Sequence, residues 1–221
     1  DLAGEPSPER PWGAGWRNPT DLLYVTARDY LKRNPKAKKE WQTEERAAGR
    51  IHLGETAFTG IEVDLFNVHK LKPEFSDPDV DVKIPKAPTL IINVDYAFGQ
   101  QAEEILANLL FVFGQRVKSV NVLGKAGGLT GTRGDILLPT ATLLQTNDEL
   151  YPLPNRDLCA DLLRKLSPER SVHEGPVLTV AGTLLQDRTL LHFYRRIWNC
   201  VGLEMEGSFF ARQLVSAIET G

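Results

Sequence analysis

From Thr59 onward, short β-branched apolar runs alternate with segments whose apolar residues recur every three or four positions. "TLIINV" (Thr89 to Val94) and "VKSVNVL" (Val117 to Leu123) are continuous apolar runs and predict strands covered on both faces. "TGIEVDLFNVHKL" (Thr59 to Leu71), "ILLPTATLLQ", "GPVLTVAGTLL" (Gly175 to Leu185) and "VGLEME" predict further strands. "GQQAEEILANLLFVF" predicts a helix with Ala102, Ile105, Leu106, Leu109, Leu110 and Phe113 on one stripe. "NRDLCADLLRKL" (Asn155 to Leu166) predicts a helix burying Leu158, Leu162 and Leu163. "DRTLLHFYRRIW" predicts one capped by Asp187, and "GSFFARQLVSAI" predicts the last. Strands alternating with helices imply an α/β layered fold with a largely parallel sheet.

The N-terminal region reads differently. Residues 1–19 are rich in Pro and Gly, carry Trp12 and Trp16, and predict an extended arm. "DLLYVTARDYLKRN" (Asp21 to Asn34) predicts a helix ending before Pro35, and "KAKKEWQTEERAAGR" (Lys36 to Arg50) an exposed one. Lys36, Lys38 and Lys39 there read either as phosphate contacts or as a solvated face balanced by the acidic residues that follow. Four prolines between Pro73 and Pro88 predict a surface loop or lid. The expected organisation is an atypical arm and helices over 1–58, then an α/β domain over 59–221. The chain starts at Asp1 and its last helical pattern runs to Gly221, so we expect a fragment whose C-terminal part is missing.

Composition narrows the function classes. The 221 residues are 42% apolar and 25% charged, with a formal net charge of −3. That balance gives no basic excess for nucleic acid and no polybasic tail for a membrane surface. No apolar run is long enough for a membrane span. Cys159 and Cys200 form no disulfide framework, so a reducing cytoplasm is expected. His52, His69, His173 and His192 are scattered without metal-ligand spacing, so no metal is expected.

Three loops follow predicted strands, where ligands collect in α/β sheets. They are "DYAFG" (Asp95 to Gly99), "GKAGG" (Gly124 to Gly128) and the strand end "GLEMEG" (Gly202 to Gly207). The glycine-rich segment fits neither a dinucleotide fingerprint nor a P-loop. It reads either as a tight turn or as a floor that a ligand approaches closely, with Lys125 offering a point charge to an anion. Glu204 and Glu206 stand two residues apart around Met205, the only methionine. On a strand they would share a face, which suits either a solvated strand end or a grip for adjacent hydroxyl groups.

In this order and spacing, an apolar strand with a small-residue loop, "VNVLGKAGGLTGTRGDILLPT" and the E-M-E strand end resemble the nucleoside phosphorylase and nucleosidase superfamily over roughly Thr59 to the end. That group includes purine and uridine phosphorylases and methylthioadenosine and AMP nucleosidases. The resemblance implies a three-layer fold with a mixed, largely parallel central sheet flanked by helices. It implies cleavage of the N-glycosidic bond of a nucleoside or nucleotide, by a pentosyltransferase or an N-glycosyl hydrolase. By the same resemblance, Glu206 would hold the ribose 2′- and 3′-hydroxyls and Met205 would pack against the sugar. Glu204 would lie on the base side or support the site. Phe98 would lie near the ribose, and Leu184 stands where many members stack a Phe on the base. Gly124, Lys125, Ala126 and Gly127 would line the floor near any phosphate. A homo-oligomer is implied, with no cofactor beyond inorganic phosphate as a potential co-substrate.

The chain departs from the pattern in three places. The family's acid, an Asp, would fall past Gly221. Val122 stands where phosphorylases place an Arg, and Lys125 where they place Ser or Thr. No GDPxR-type phosphate loop occurs near the N-terminus. Hydrolysis, a phosphate site centred on Lys125, and a non-catalytic nucleoside-binding or sensing domain of a larger protein all stay open. So does a structural relic in which the two glutamates only cap a strand.

Overall fold

The structure, a computed structural model, describes residues 19–54, 60–72, 83–155, 157–182 and 187–220. The arm at 1–18, most of the proline-rich segment (73–82) and Leu184 lie outside the described residues. The chain divides into two compact units, Asp1–Asp95 and Tyr96–Gly221.

In the first unit, helices α1 (Pro19–Arg33) and α2 (Pro35–Ala47) precede three strands: β1 (Arg50–Leu53), β2 (Val63–Asn67) and β3 (Leu90–Val94). Pro35 opens α2, where its missing N–H costs nothing. The strands form an antiparallel sheet in the order β1-β2-β3. Strand β1 was not predicted. It forms because Arg50 pairs opposite Phe66 and its guanidinium bridges Asp64 at 3.1 Å while also meeting Glu45. Strand β3 was expected to be covered on both faces, but it is an edge strand, with Leu90 and Ile91 about half exposed.

The second unit holds α3 (Gln100–Phe113), β4 (Gly127–Gly128), β5 (Ile136–Leu144), β6 (Glu149–Pro152), α4 (Ala160–Leu166), β7 (Val172–Thr179), α5 (Arg188–Ile197), β8 (Gly202–Glu204) and α6 (Gly207–Thr220). Its sheet runs β4-β8-β7-β5-β6. The two inner pairings, β8 with β7 and β7 with β5, are parallel, and the two outer ones are antiparallel. With helices packed on this mixed sheet, the fold is α/β, as expected. The central strand β7 buries Val177, Leu178 and Thr179 almost completely. Leu143, Leu178, Val180, Tyr194 and Cys200 form the main core. Burial and a hydrogen bond from its hydroxyl to Asp148 at 2.9 Å push the Tyr194 phenol up to about 12. The β5–β7 register shifts between Pro139 and Thr142, where Pro139 has no N–H to donate.

Two further expectations fail here. Residues 117–123 form no strand, and Val122 and Leu123 are exposed. Strand propensity is realised only against a neighbouring backbone, and among the described residues no strand pairs with this run. Helix α4 starts only at Ala160, so Leu158 and Leu162 stay exposed and Leu163 alone of the three packs into a small cluster with Leu138, Ala160 and Val172. The predicted stripe of α3 does face inward, with Ala102 and Leu106 buried. Asp187 caps α5 by accepting the Thr189 N–H at 2.7 Å.

Helices α3 and α6 are tied by Glu103, which accepts bonds from Arg212 Nε at 3.0 Å and Gln213 Nε2 at 2.8 Å. The Arg212 bond holds the Glu103 carboxyl below its ordinary 4.5, against opposing desolvation. A carboxyl with a lowered folded pKa stabilises above its unfolded pKa, and that contribution is lost as pH falls through the folded value. Urea unfolding between about pH 5 and pH 3 is therefore expected to show a falling midpoint that is shallower in Glu103→Gln. Identical pH slopes in the two proteins would remove this assignment.

Candidate functional site

Strand β8 ends at Glu204, the chain bends through Met205 and Glu206, and α6 begins at Gly207. The two glutamates therefore do not share a strand face, because the strand stops before the second one.

The Glu204 carboxylate is taken up by its own surroundings. Oε1 accepts the Thr179 hydroxyl at 2.5 Å. Oε2 accepts the backbone N–H of Glu206 at 2.6 Å and that of Gly207. Thr179 Oγ1 in turn accepts the Ser208 N–H at 2.9 Å. These bonds satisfy N–H groups at the start of α6 that have no partner inside the helix, and they place negative charge at its positive end. Burial pushes the Glu204 carboxyl up, opposed by the Thr179 and backbone bonds. Sequence reasoning missed Thr179 and Ser208, since a polar residue in a β-branched run carries no sign of its partner.

Glu206 faces another way. Its Oε1 accepts the Gly99 N–H at 3.1 Å, which joins the first residues of α6 to the loop before α3. Gly99 has φ of 50°, a conformation that glycine adopts without strain. Phe98 directly precedes it and is exposed, with its ring 6.5 Å from that of Tyr96. The structure thus brings Glu206 and the Phe98–Gly99 loop together.

The glycine-rich segment meets the same strand end. Gly127 pairs with Leu203 and Gly128 with Gly202 as the short strand β4. Close backbone approach explains the glycines: a Cβ on Gly202 would lie 2.4 Å from Leu137 Cδ1 and 3.1 Å from the Gly127 carbonyl. Gly124, Lys125 and Ala126 precede β4 as exposed, irregular chain. Met205 is partly buried and packs against the main core. Leu184 falls outside the described residues.

Among the described residues, other concavities lie in the first unit and, at about 450 Å³, along α5 against Thr189, His192, Phe193, Arg196 and Ile197. In the first unit, a concavity of about 280 Å³ is lined by Lys39, Arg46 and Arg50 among others, but Arg50 is already paired with Glu45 and Asp64. Among the described residues, no cluster of His, Cys, Asp or Glu could hold a metal ion, and no helix is long and apolar enough to cross a membrane.

Comparison with solved structures places this architecture. The futalosine hydrolase of Helicobacter pylori strain 26695 superposes with a TM-score of 0.53 at 14% identity, covering 79% of this chain and 75% of that one. The methylthioadenosine/S-adenosylhomocysteine nucleosidase of Colwellia psychrerythraea, determined in complex with adenine, gives a TM-score of 0.53 at 16% identity over 76% of this chain and 68% of that one. The corresponding Helicobacter pylori nucleosidase gives 0.53 at 15% over 76% and 72%. No curated protein matches the sequence. The chain therefore shares its fold with these hydrolases. A family model described as "Family of unknown function (DUF6909)" matches residues 13–221, and the chain belongs to that family.

Proposed function

We propose that the second unit binds a nucleoside through Glu206 and cleaves its N-glycosidic bond, with water as the nucleophile. The observation that carries this reading is the division of labour between the two glutamates. Glu204 is consumed by the turn, while among the described residues Glu206 is oriented by one backbone bond through Oε1. Its remaining acceptor capacity suits two adjacent sugar hydroxyls.

A carboxylate fixed on those hydroxyls orients the ring and favours the positive charge that develops as the bond to the base lengthens. Water rather than phosphate is favoured by the exposed Val122, which stands where the phosphorylases have an arginine. It is also favoured by the hydrolytic names of the structural neighbours. Inorganic phosphate would then bind weakly, through Lys125.

The test is a thermal-shift panel of ribonucleosides and free bases with and without phosphate, followed by chromatography for released base. A nucleoside at one hundred times its Kd should add about 2.7 kcal/mol of apparent stability. Base release without phosphate dependence supports hydrolysis. Phosphate-dependent release that disappears in Lys125→Ala would make the protein a phosphorylase with an altered anion site. A shift without base release would support a sensing module. No shift with any nucleoside would sink the proposal.

A further inference from the structure

Two large aromatic rings stand in solvent beside Glu206. Tyr96 and Phe98 are 69% and 65% exposed. They alternate along irregular chain leading into α3, their ring planes lie within 15° of parallel, and their centroids are 6.5 Å apart. What sets this pair apart from other exposed apolar side chains is the near-parallel alignment of two rings next to the Glu206-bound loop.

We infer that Tyr96 and Phe98 form a clamp for the planar base of a nucleoside, an inference that rests on the reading of Glu206 as the sugar grip. A flat ring held between two others needs one van der Waals contact on each side, about 3.5 Å apiece and about 7 Å in total. The ring centroids stand 6.5 Å apart with near-parallel planes, and rotation of the two exposed side chains is what would set that pair face to face across a slot of this width. The clamp is also anchored to the sugar end. Phe98 adjoins Gly99, whose N–H lies 3.1 Å from Glu206 Oε1, so a sugar held by that carboxylate delivers its base toward the ring pair. A bicyclic purine overlaps both rings over a larger area than a pyrimidine, so purines are the preferred class. The clamp also supplies the aromatic surface that Leu184 does not offer.

Calorimetric titration of adenosine, uridine and adenine into wild type, Tyr96→Ala, Tyr96→Phe and Glu206→Gln tests the clamp. Tyr96→Ala is expected to weaken adenosine and adenine alike by about tenfold, and uridine less. Tyr96→Phe keeps the ring and should stay within about twofold of wild type. Adenine affinity that falls in Tyr96→Ala but is untouched by Glu206→Gln supports the clamp. If adenosine affinity falls only in Glu206→Gln, the clamp is overturned and the sugar grip stands. If adenine binding depends on Tyr96 while adenosine gains nothing from Glu206, the clamp stands and the sugar grip falls. Absence of binding by all three ligands overturns both. Sedimentation showing that Tyr96→Ala dissociates an oligomer would assign the ring pair to a protein interface and overturn the clamp.

Discussion

Glu206→Gln is expected to weaken ribonucleoside binding by at least about tenfold while leaving the fold intact. The substitution preserves shape and removes charge. It also turns one acceptor into a donor, so the side chain can no longer accept both hydroxyl bonds. Each charge-assisted bond is worth about 1.5–3 kcal/mol, so the loss of one suffices for the predicted change. A 2′-deoxynucleoside already lacks one of the two bonds and should lose much less. The Gly99 N–H bond needs only the single oxygen that glutamine retains, so the thermal midpoint should barely move. Titration of ribo- and deoxynucleosides into both proteins separates the outcomes. Equal losses for the two ligands would leave Glu206 without a sugar-binding role.

Glu204→Ala is expected to act on the fold itself, lowering stability by about 2–4 kcal/mol in urea unfolding. It strips the acceptor from the Thr179 hydroxyl and from two backbone N–H groups at the start of α6. Buried donors left unpaired cost more than the bonds they once made contributed. Glu204→Gln keeps an acceptor oxygen for the backbone groups and should cost far less. The sign of its pH dependence follows from burial, which raises the Glu204 pKa. Stabilisation by a carboxyl with a raised folded pKa is complete below the unfolded pKa and declines as pH rises through the folded value. The glutamine variant, which mimics the protonated form, should lack that decline. Indistinguishable stabilities for Glu204→Ala and wild type would show that the observed bonds do not hold the turn.

The amphipathic elements were legible because their signal is local. The stripe on α3 and the Asp187 cap of α5 follow from spacing and from one side chain reaching the adjacent turn. The ordered motifs also identified the fold, since a glycine segment before one strand and a glutamate pair after another constrain topology together. What escaped was whatever depends on a partner far along the chain. Two glycines have poor strand propensity, yet Gly127 and Gly128 pair with β8 because that strand needs close backbone contact. In contrast, Val117 to Leu123 has strong propensity and forms no strand with any described residue. At the strand end, the motif singled out Glu206, and the sugar-binding role given to it is a proposal. Thr179 was not legible, because its role exists only once β7 lies beside β8.

The central strand β7 is secured by an acidic side chain near each end. Near its start, His173 Nε2 lies 3.0 Å from Asp135, which also accepts the Thr132 N–H at 2.8 Å. At its finish, Thr179 donates to Glu204. Those anchor points are about 20 Å apart along the strand, at about 3.3 Å per residue. Over such a separation mutational effects are close to additive. The Asp135 end can thus absorb stabilising substitutions that offset losses incurred at the Glu204 end. The loops at the Glu204 end are in this way free to diversify without destabilising the other end of the sheet, which is a form of modularity inside a single strand.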